Sequence, residues 1–206
     1  MMQSNLYYIR FYHQYQQHHV VKVLPGGVYS TSEPEMLSTG LGSCVAACIW
    51  DPIERVGGMN HFLLPNDGDI CKEGDIGASV NETRYGCHAM EQLISQLLAK
   101  GASLEQLQVK VFGGAQMFGK QSAIGEKNVQ FILDYAEQEK LSVASYDLGG
   151  LEPRKILFDP MSGRVLLKRI PFAELQQVEM RYTDPLMQDV QYSTSKEKEW
   201  FETCEK

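Results

Sequence analysis

Six consecutive small or apolar residues, Val45 to Trp50, are halted by Asp51-Pro52 and preceded by the glycine-containing stretch Thr39-Gly40-Leu41-Gly42-Ser43-Cys44. The run is short for a helix and Asp-Pro is a turn signal, so it reads as a buried strand. A second strand is expected within Arg55 to Leu64, where Gly57-Gly58 permits close backbone approach. The two strands read as a hairpin, with Cys44 and His61 at one end of a sheet.

The rest of the chain alternates the two periodicities. Residues 1–18 are rich in Tyr, Gln and His without a clear period and read as a loosely ordered leader. His19 to Leu24 is a strand stopped by Pro25-Gly26-Gly27, and Val28 to Thr31 a short second one. Asn66 to Val80 reads as a loop. Asn81 to Gly101 is a helix carrying Ala89, Met90, Leu93, Ile94, Leu97 and Leu98 at helical spacing, with Gly101 as its cap. Strands are expected at Gln108–Phe112 and Ser142–Leu148, with an amphipathic helix between them at Glu126–Gln138. Lys155–Asp159 and Val165–Ile170 form a hairpin across Pro160-Met161-Ser162-Gly163. About eight strands and two long helices in interleaved order favour an α+β layered sandwich. The expected division is a leader at 1–18, one domain at 19–171, and an appended tail at 172–206 that is partly helical or mobile.

Bulk properties remove several function classes. The chain of 206 residues carries a net charge of −7, which disfavours a nucleic-acid binder. No apolar run is long enough to span a bilayer, so no membrane insertion is expected. Met1 to Arg10 lacks the layout of a signal peptide, and the five cysteines are irregularly spaced with no CxxC pair. A cytoplasmic chain without a disulfide framework, a metal site or a cofactor is therefore expected. The pairs Gly113-Gly114 and Gly149-Gly150 open no helix with phosphate-loop spacing.

A thiol becomes a nucleophile when a nearby imidazole takes its proton. Gly42 and Ser43 give the chain before Cys44 freedom to turn main-chain N–H groups toward a reacting carbonyl, as in an oxyanion hole. Thr39 is in range to orient His61. On residue types and spacing alone, a catalytic cysteine and a small core cysteine both remain open. A redox pair of Cys44 with Cys48 is disfavoured, since residues four apart on a strand lie about 13 Å apart.

Several segments occur together in one order: Thr39 to Val45, Gly58 to Pro65, Arg84-Tyr85 with Ala89-Met90, Val111 to Met117, Ile124-Gly125 with Asn128, Asp147 to Gly150 with Arg154, and Ser162 to Val165. In these the chain resembles the CheD family, chemoreceptor glutamine deamidases of bacterial chemotaxis, over roughly residues 19–170. The resemblance implies a three-layer α/β/β sandwich similar to toxin deamidases of the cytotoxic necrotising factor type. It implies hydrolysis of receptor glutamine side chains to glutamate, with Cys44 as nucleophile, His61 as general base then acid, and Thr39 orienting His61. It also implies methyl-accepting chemotaxis proteins as substrates and, in many bacteria, a CheC-like phosphatase as partner. Gly40 and Pro153 depart from the commoner family pattern. The substrate-binding residues are not identified.

Overall fold

The structure, a computed structural model, describes residues 3–5, 7–13, 17–63, 86–116 and 121–170. The expected loop at 66–80, the first residues of the expected first helix and the tail at 172–206 lie outside the described residues. The described strands are β1 (Gln3–Asn5), β2 (Tyr8–His13), β3 (His18–Val23), β4 (Val28–Thr31), β5 (Glu35–Leu41), β6 (Val45–Asp51), β7 (Val56–Asn60), β8 (Gln108–Gly113), β9 (Ser142–Leu148), β10 (Arg154–Phe158) and β11 (Val165–Arg169). The helices are α1 (Gly86–Ala99) and α2 (Gln121–Gln138). They build an α+β molecule with two sheets, in the orders β1-β2-β3-β5-β10-β11 and β4-β7-β6-β8-β9.

Both faces of β6 are buried, and its alternation separates two cores. Val45, Ala47 and Ile49 pack with Ala89, Met90, Leu93 and Leu97 of α1 and Ile132 of α2. Ala46, Cys48 and Trp50 point the other way, toward Val21, Val23, Leu37, Leu41, Ile156 and Phe158 of the six-stranded sheet. The helices thus cover one face of the five-stranded sheet and the second sheet covers the other. Small residues on β6 allow this, since a strand sandwiched between layers must fill both at close-packed density. Gly58 on β7 serves the same end: a Cβ there would meet a Leu93 methyl and the Tyr29 carbonyl oxygen, each at 2.6 Å.

Three strands differ from the sequence expectation. Residues read as a loose leader form β1 and β2, and β2 pairs antiparallel with β3 from Tyr8↔Val23 to His13↔His18. Each face of β2 mixes aromatic or apolar with polar residues, Tyr8, Arg10 and Tyr12 on one and Ile9, Phe11 and His13 on the other, which hides its period. β5 was not expected, and it makes Thr39, Gly40 and Leu41 strand residues, leaving the turn at Gly42-Ser43. Glu35, Ser38 and Thr39 are buried, and Glu35 and Thr39 are bonded to side chains and main chain elsewhere, so hydropathy alone does not reveal the strand. α2 begins at Gln121, five residues earlier than expected. Gly101 caps α1 as expected, with φ +100° and its N–H on the Leu98 carbonyl.

Candidate active site

The pairing of β6 with the end of β7 places Cys44 and His61. Val45 and Phe62 stand directly opposite, exchanging N–H···O bonds of 3.1 and 2.9 Å. Both side chains face the helices. Alternation therefore turns Cys44 and His61 to the other face, between the sheets. They are diagonal neighbours there, a relation that sets Cα atoms about 7–8 Å apart and within side-chain reach. One step along, the ladder is modified: the Ala47 N–H donates to Asn60 Oδ1 (2.8 Å), and Asn60 Nδ2 contacts Met90 Sδ (3.2 Å). The other edge of the chain at His61 is tied to the turn after β3, through His61 N–H to Gly27 O (2.9 Å) and Gly26 N–H to His61 O (2.7 Å).

Thr39 comes from the opposite sheet. It lies on the inter-sheet face of β5 with Leu37 and Leu41. Its Oγ1 is 2.8 Å from the Val23 carbonyl oxygen and 2.8 Å from His61 Nδ1. A hydroxyl has one proton, and a carbonyl oxygen can only accept. The Thr39 proton must therefore go to Val23, and Nδ1–H of His61 must donate to Thr39. This fixes the neutral tautomer and leaves the Nε2 lone pair free to act as a base. Nε2 has no hydrogen-bond partner among the described residues. Burial pushes the ring down from the usual 6.5 to about 4, with the nearby Val23 main chain acting in the opposite direction. His61 is thus a neutral imidazole at pH 7.

Cys44 is partly exposed at the rim, with Gly42 and Ser43. All three carbonyls of this turn are held by donors from the chain just after β8 and from α2. Ala115 N–H bonds Gly42 O (2.8 Å), Asn128 Nδ2 bonds Ser43 O (2.7 Å), and Gly114 N–H bonds Cys44 O (2.8 Å). Gly113 adopts φ +118°, and a Cβ there would lie 2.1 Å from the Cys44 carbonyl oxygen, so only glycine fits. The next loop is bonded in turn, Gly149 N–H to Gly113 O (2.9 Å) and Gln116 N–H to Gly150 O (2.8 Å). Fully buried Arg154 secures that loop by donating to the carbonyls of Asp147, Gly149 and Glu152 and to the Asp147 carboxylate.

The structure thus gathers the residues singled out from the sequence: Thr39 and His61 buried in direct contact, and Cys44, Ser43 and Gly42 in the adjoining, partly exposed turn. Cys48 is different. It is fully buried, and burial pushes its thiol well up, as for an inert packing residue. Cys87 is buried at the start of α1 and is disulfide-bonded. Among the described residues no group of three His, Cys, Asp or Glu stands ready to hold a metal, and no helix is long and apolar enough to cross a membrane. The roles of Val23, Asn60 and Asn128 were not read from the sequence. For Asn128 a signal exists: it is a carboxamide within the buried stripe of an amphipathic helix.

Comparison with known proteins agrees with this architecture. The family profile described as CheD chemotactic sensory transduction matches residues 63–169. A "Probable chemoreceptor glutamine deamidase CheD" of Vibrio vulnificus (strain YJ016) is 57% identical over 189 residues, covering 87% of this chain and 86% of that protein. That alignment leaves too little of the chain outside it to miss positions 39–61. Proteins of the same name from Vibrio cholerae (strain N16961) and Hahella chejuensis are 53% and 41% identical, covering 81% and 78% of this chain and 72% and 75% of theirs. By the length and level of these matches, the chain belongs to the CheD family.

Proposed function

We propose that this protein is a chemoreceptor glutamine deamidase, hydrolysing receptor glutamine side chains to glutamate through a thioester on Cys44. One observation carries the assignment: Thr39 donates to Val23 and accepts from His61, which leaves a bare Nε2 on the face that Cys44 shares. The names of the similar proteins support the substrate class.

In this reading His61 Nε2 takes the Cys44 proton as the sulfur attacks the carboxamide carbon. The carbonyl oxygen becomes an oxyanion held by main-chain N–H groups of the Gly42–Cys44 turn. His61 returns the proton to the departing nitrogen, and ammonia leaves a glutamyl thioester. His61 then deprotonates water, which attacks the thioester, and the thiol is released with glutamate. Thr39 accepts Nδ1–H throughout, so the ring keeps one orientation while its charge alternates. A methyl ester fits the same steps with methanol as leaving group. The reading extends to a CheC-like phosphatase as a second partner, a cytoplasmic location and kinship with the cytotoxic necrotising factor fold.

The test is ammonia release and the glutamine-to-glutamate mass change in a receptor fragment. Cys44→Ala and Cys44→Ser are expected to abolish both while the unfolding midpoint stays near that of the unchanged protein. Turnover retained by Cys44→Ala would remove the nucleophile assignment.

A further inference from the structure

Asn128 is fully buried on α2, in a stripe otherwise made of Gly125, Ile132 and Ala136. An amide placed among such neighbours is unfavourable unless its polar atoms are bonded. Its Nδ2 donates to the carbonyl oxygen of Ser43, the residue before Cys44, at 2.7 Å. α2 reaches the turn because Gly125 lets its backbone press on the neighbouring loop, where a Cβ would lie 2.5 Å from Ala115 O and 2.8 Å from Gly114 O.

A trans peptide unit is planar, with its C=O and N–H pointing in opposite directions. The Ser43 carbonyl points toward α2, on the helix-covered face of the sheet. The Cys44 N–H therefore points away from α2, toward the face that carries the Cys44 side chain. An N–H there is aimed where the oxygen of a carbonyl attacked by Cys44 Sγ would sit. The flanking bonds Ala115 N–H to Gly42 O and Gly114 N–H to Cys44 O fix the adjacent peptide planes, and the Asn128 amide holds this one.

We propose that Asn128 is a positioning residue for the oxyanion hole: by holding the Ser43 carbonyl, it aims the Cys44 main-chain N–H at the developing oxyanion. The inference rests on Cys44 being the nucleophile. It separates two properties that a merely structural residue would change together. Alkylation of Cys44 by iodoacetamide forms no oxyanion, whereas deamidation does.

The experiment compares Asn128→Ala and Asn128→Asp with the unchanged full-length protein. Deamidation of a receptor fragment is read as kcat and KM, and Cys44 alkylation is followed by peptide mass spectrometry. The expected result is a fall in kcat of about 100- to 1,000-fold, as for loss of one oxyanion donor, with KM and the alkylation rate changed less than about threefold. An aspartate there has a proton to donate only when its carboxyl is protonated. The kcat of Asn128→Asp relative to the unchanged protein should therefore rise as pH falls from about 8 to about 5.5. That rise is readable even where Asn128→Ala does not fold. Unchanged kcat in either variant, alkylation falling in parallel with kcat, or a flat relative pH profile for Asn128→Asp would overturn the proposal. A Cys44→Ala control that still turns over would indict the nucleophile assignment instead.

Discussion

The Thr39 hydroxyl has one proton, and its destination decides which nitrogen of His61 is a base. Thr39→Val keeps the shape of the side chain but leaves both Nδ1–H and the Val23 carbonyl without their partner. Each buried group left unbonded costs about 1–3 kcal/mol, so the urea midpoint should drop clearly. On a receptor fragment kcat should fall about tenfold or more, because the required tautomer is no longer held. Thr39→Ser, which retains the hydroxyl, should stay near the unchanged protein in both measurements. His61 supplies a second prediction. Burial lowers its pKa from 6.5 unfolded to about 4 folded, so between these values the unfolded chain binds the extra proton. Stability from this residue is fully present above about pH 6.5 and is lost as pH falls toward 4. At about 1.4 kcal/mol per pH unit the loss is about 3 kcal/mol. Urea titrations across this window should show that slope in the unchanged protein and a shallower one in His61→Gln.

At the scale of elements, the site depends on two departures from regular sheet. One is at Asn60, whose side chain takes the Ala47 N–H that a strand carbonyl would otherwise accept. Asn60→Ala leaves that N–H buried and unbonded, and a loss of about 1–3 kcal/mol is expected in denaturant titration. The other is the end of β8, where the chain turns at Gly113 to bring Gly114 N–H onto the Cys44 carbonyl. Gly113→Ala adds a methyl that collides with that carbonyl and forces alanine to a positive φ. It should therefore abolish deamidation, with a fall in stability of more than about 1 kcal/mol. The helix–strand order β8-α2-β9 was legible from the sequence, because Val109 and Val111 alternate as in a strand, while Phe131 and Ile132 are joined by Tyr135 on one helix face. β5 was not legible, because its buried Glu35 and Thr39 are reconciled with the interior only by partners from elsewhere in the fold: Tyr29 and Arg10 for Glu35, Val23 and His61 for Thr39.

At the scale of the whole molecule, the site exists because two sheets face each other. Thr39 stands on one, and Cys44 and His61 at the rim of the other. Arg154 extends the same logic outward, since from β10 of the first sheet it pins the loop that follows β9 of the second. Arg154→Lys retains the charge but not the planar fork that serves several carbonyls at once. Amide hydrogen exchange at Gly149–Glu152 should then accelerate by about tenfold or more, with deamidation reduced, while exchange in the core of β6 is unchanged. The sequence by itself determined the hairpin that presents Cys44 and His61, because a short apolar run between turn residues admits few conformations. It also determined the two helices, through their apolar period. Tertiary structure alone decided that β1 and β2 extend the six-stranded sheet, that Thr39 meets Nδ1, and that Asn128 grips the Ser43 carbonyl. Those contacts join residues 22 and 85 positions apart. Local propensity carries no information about such separations, because they are set by how the layers stack.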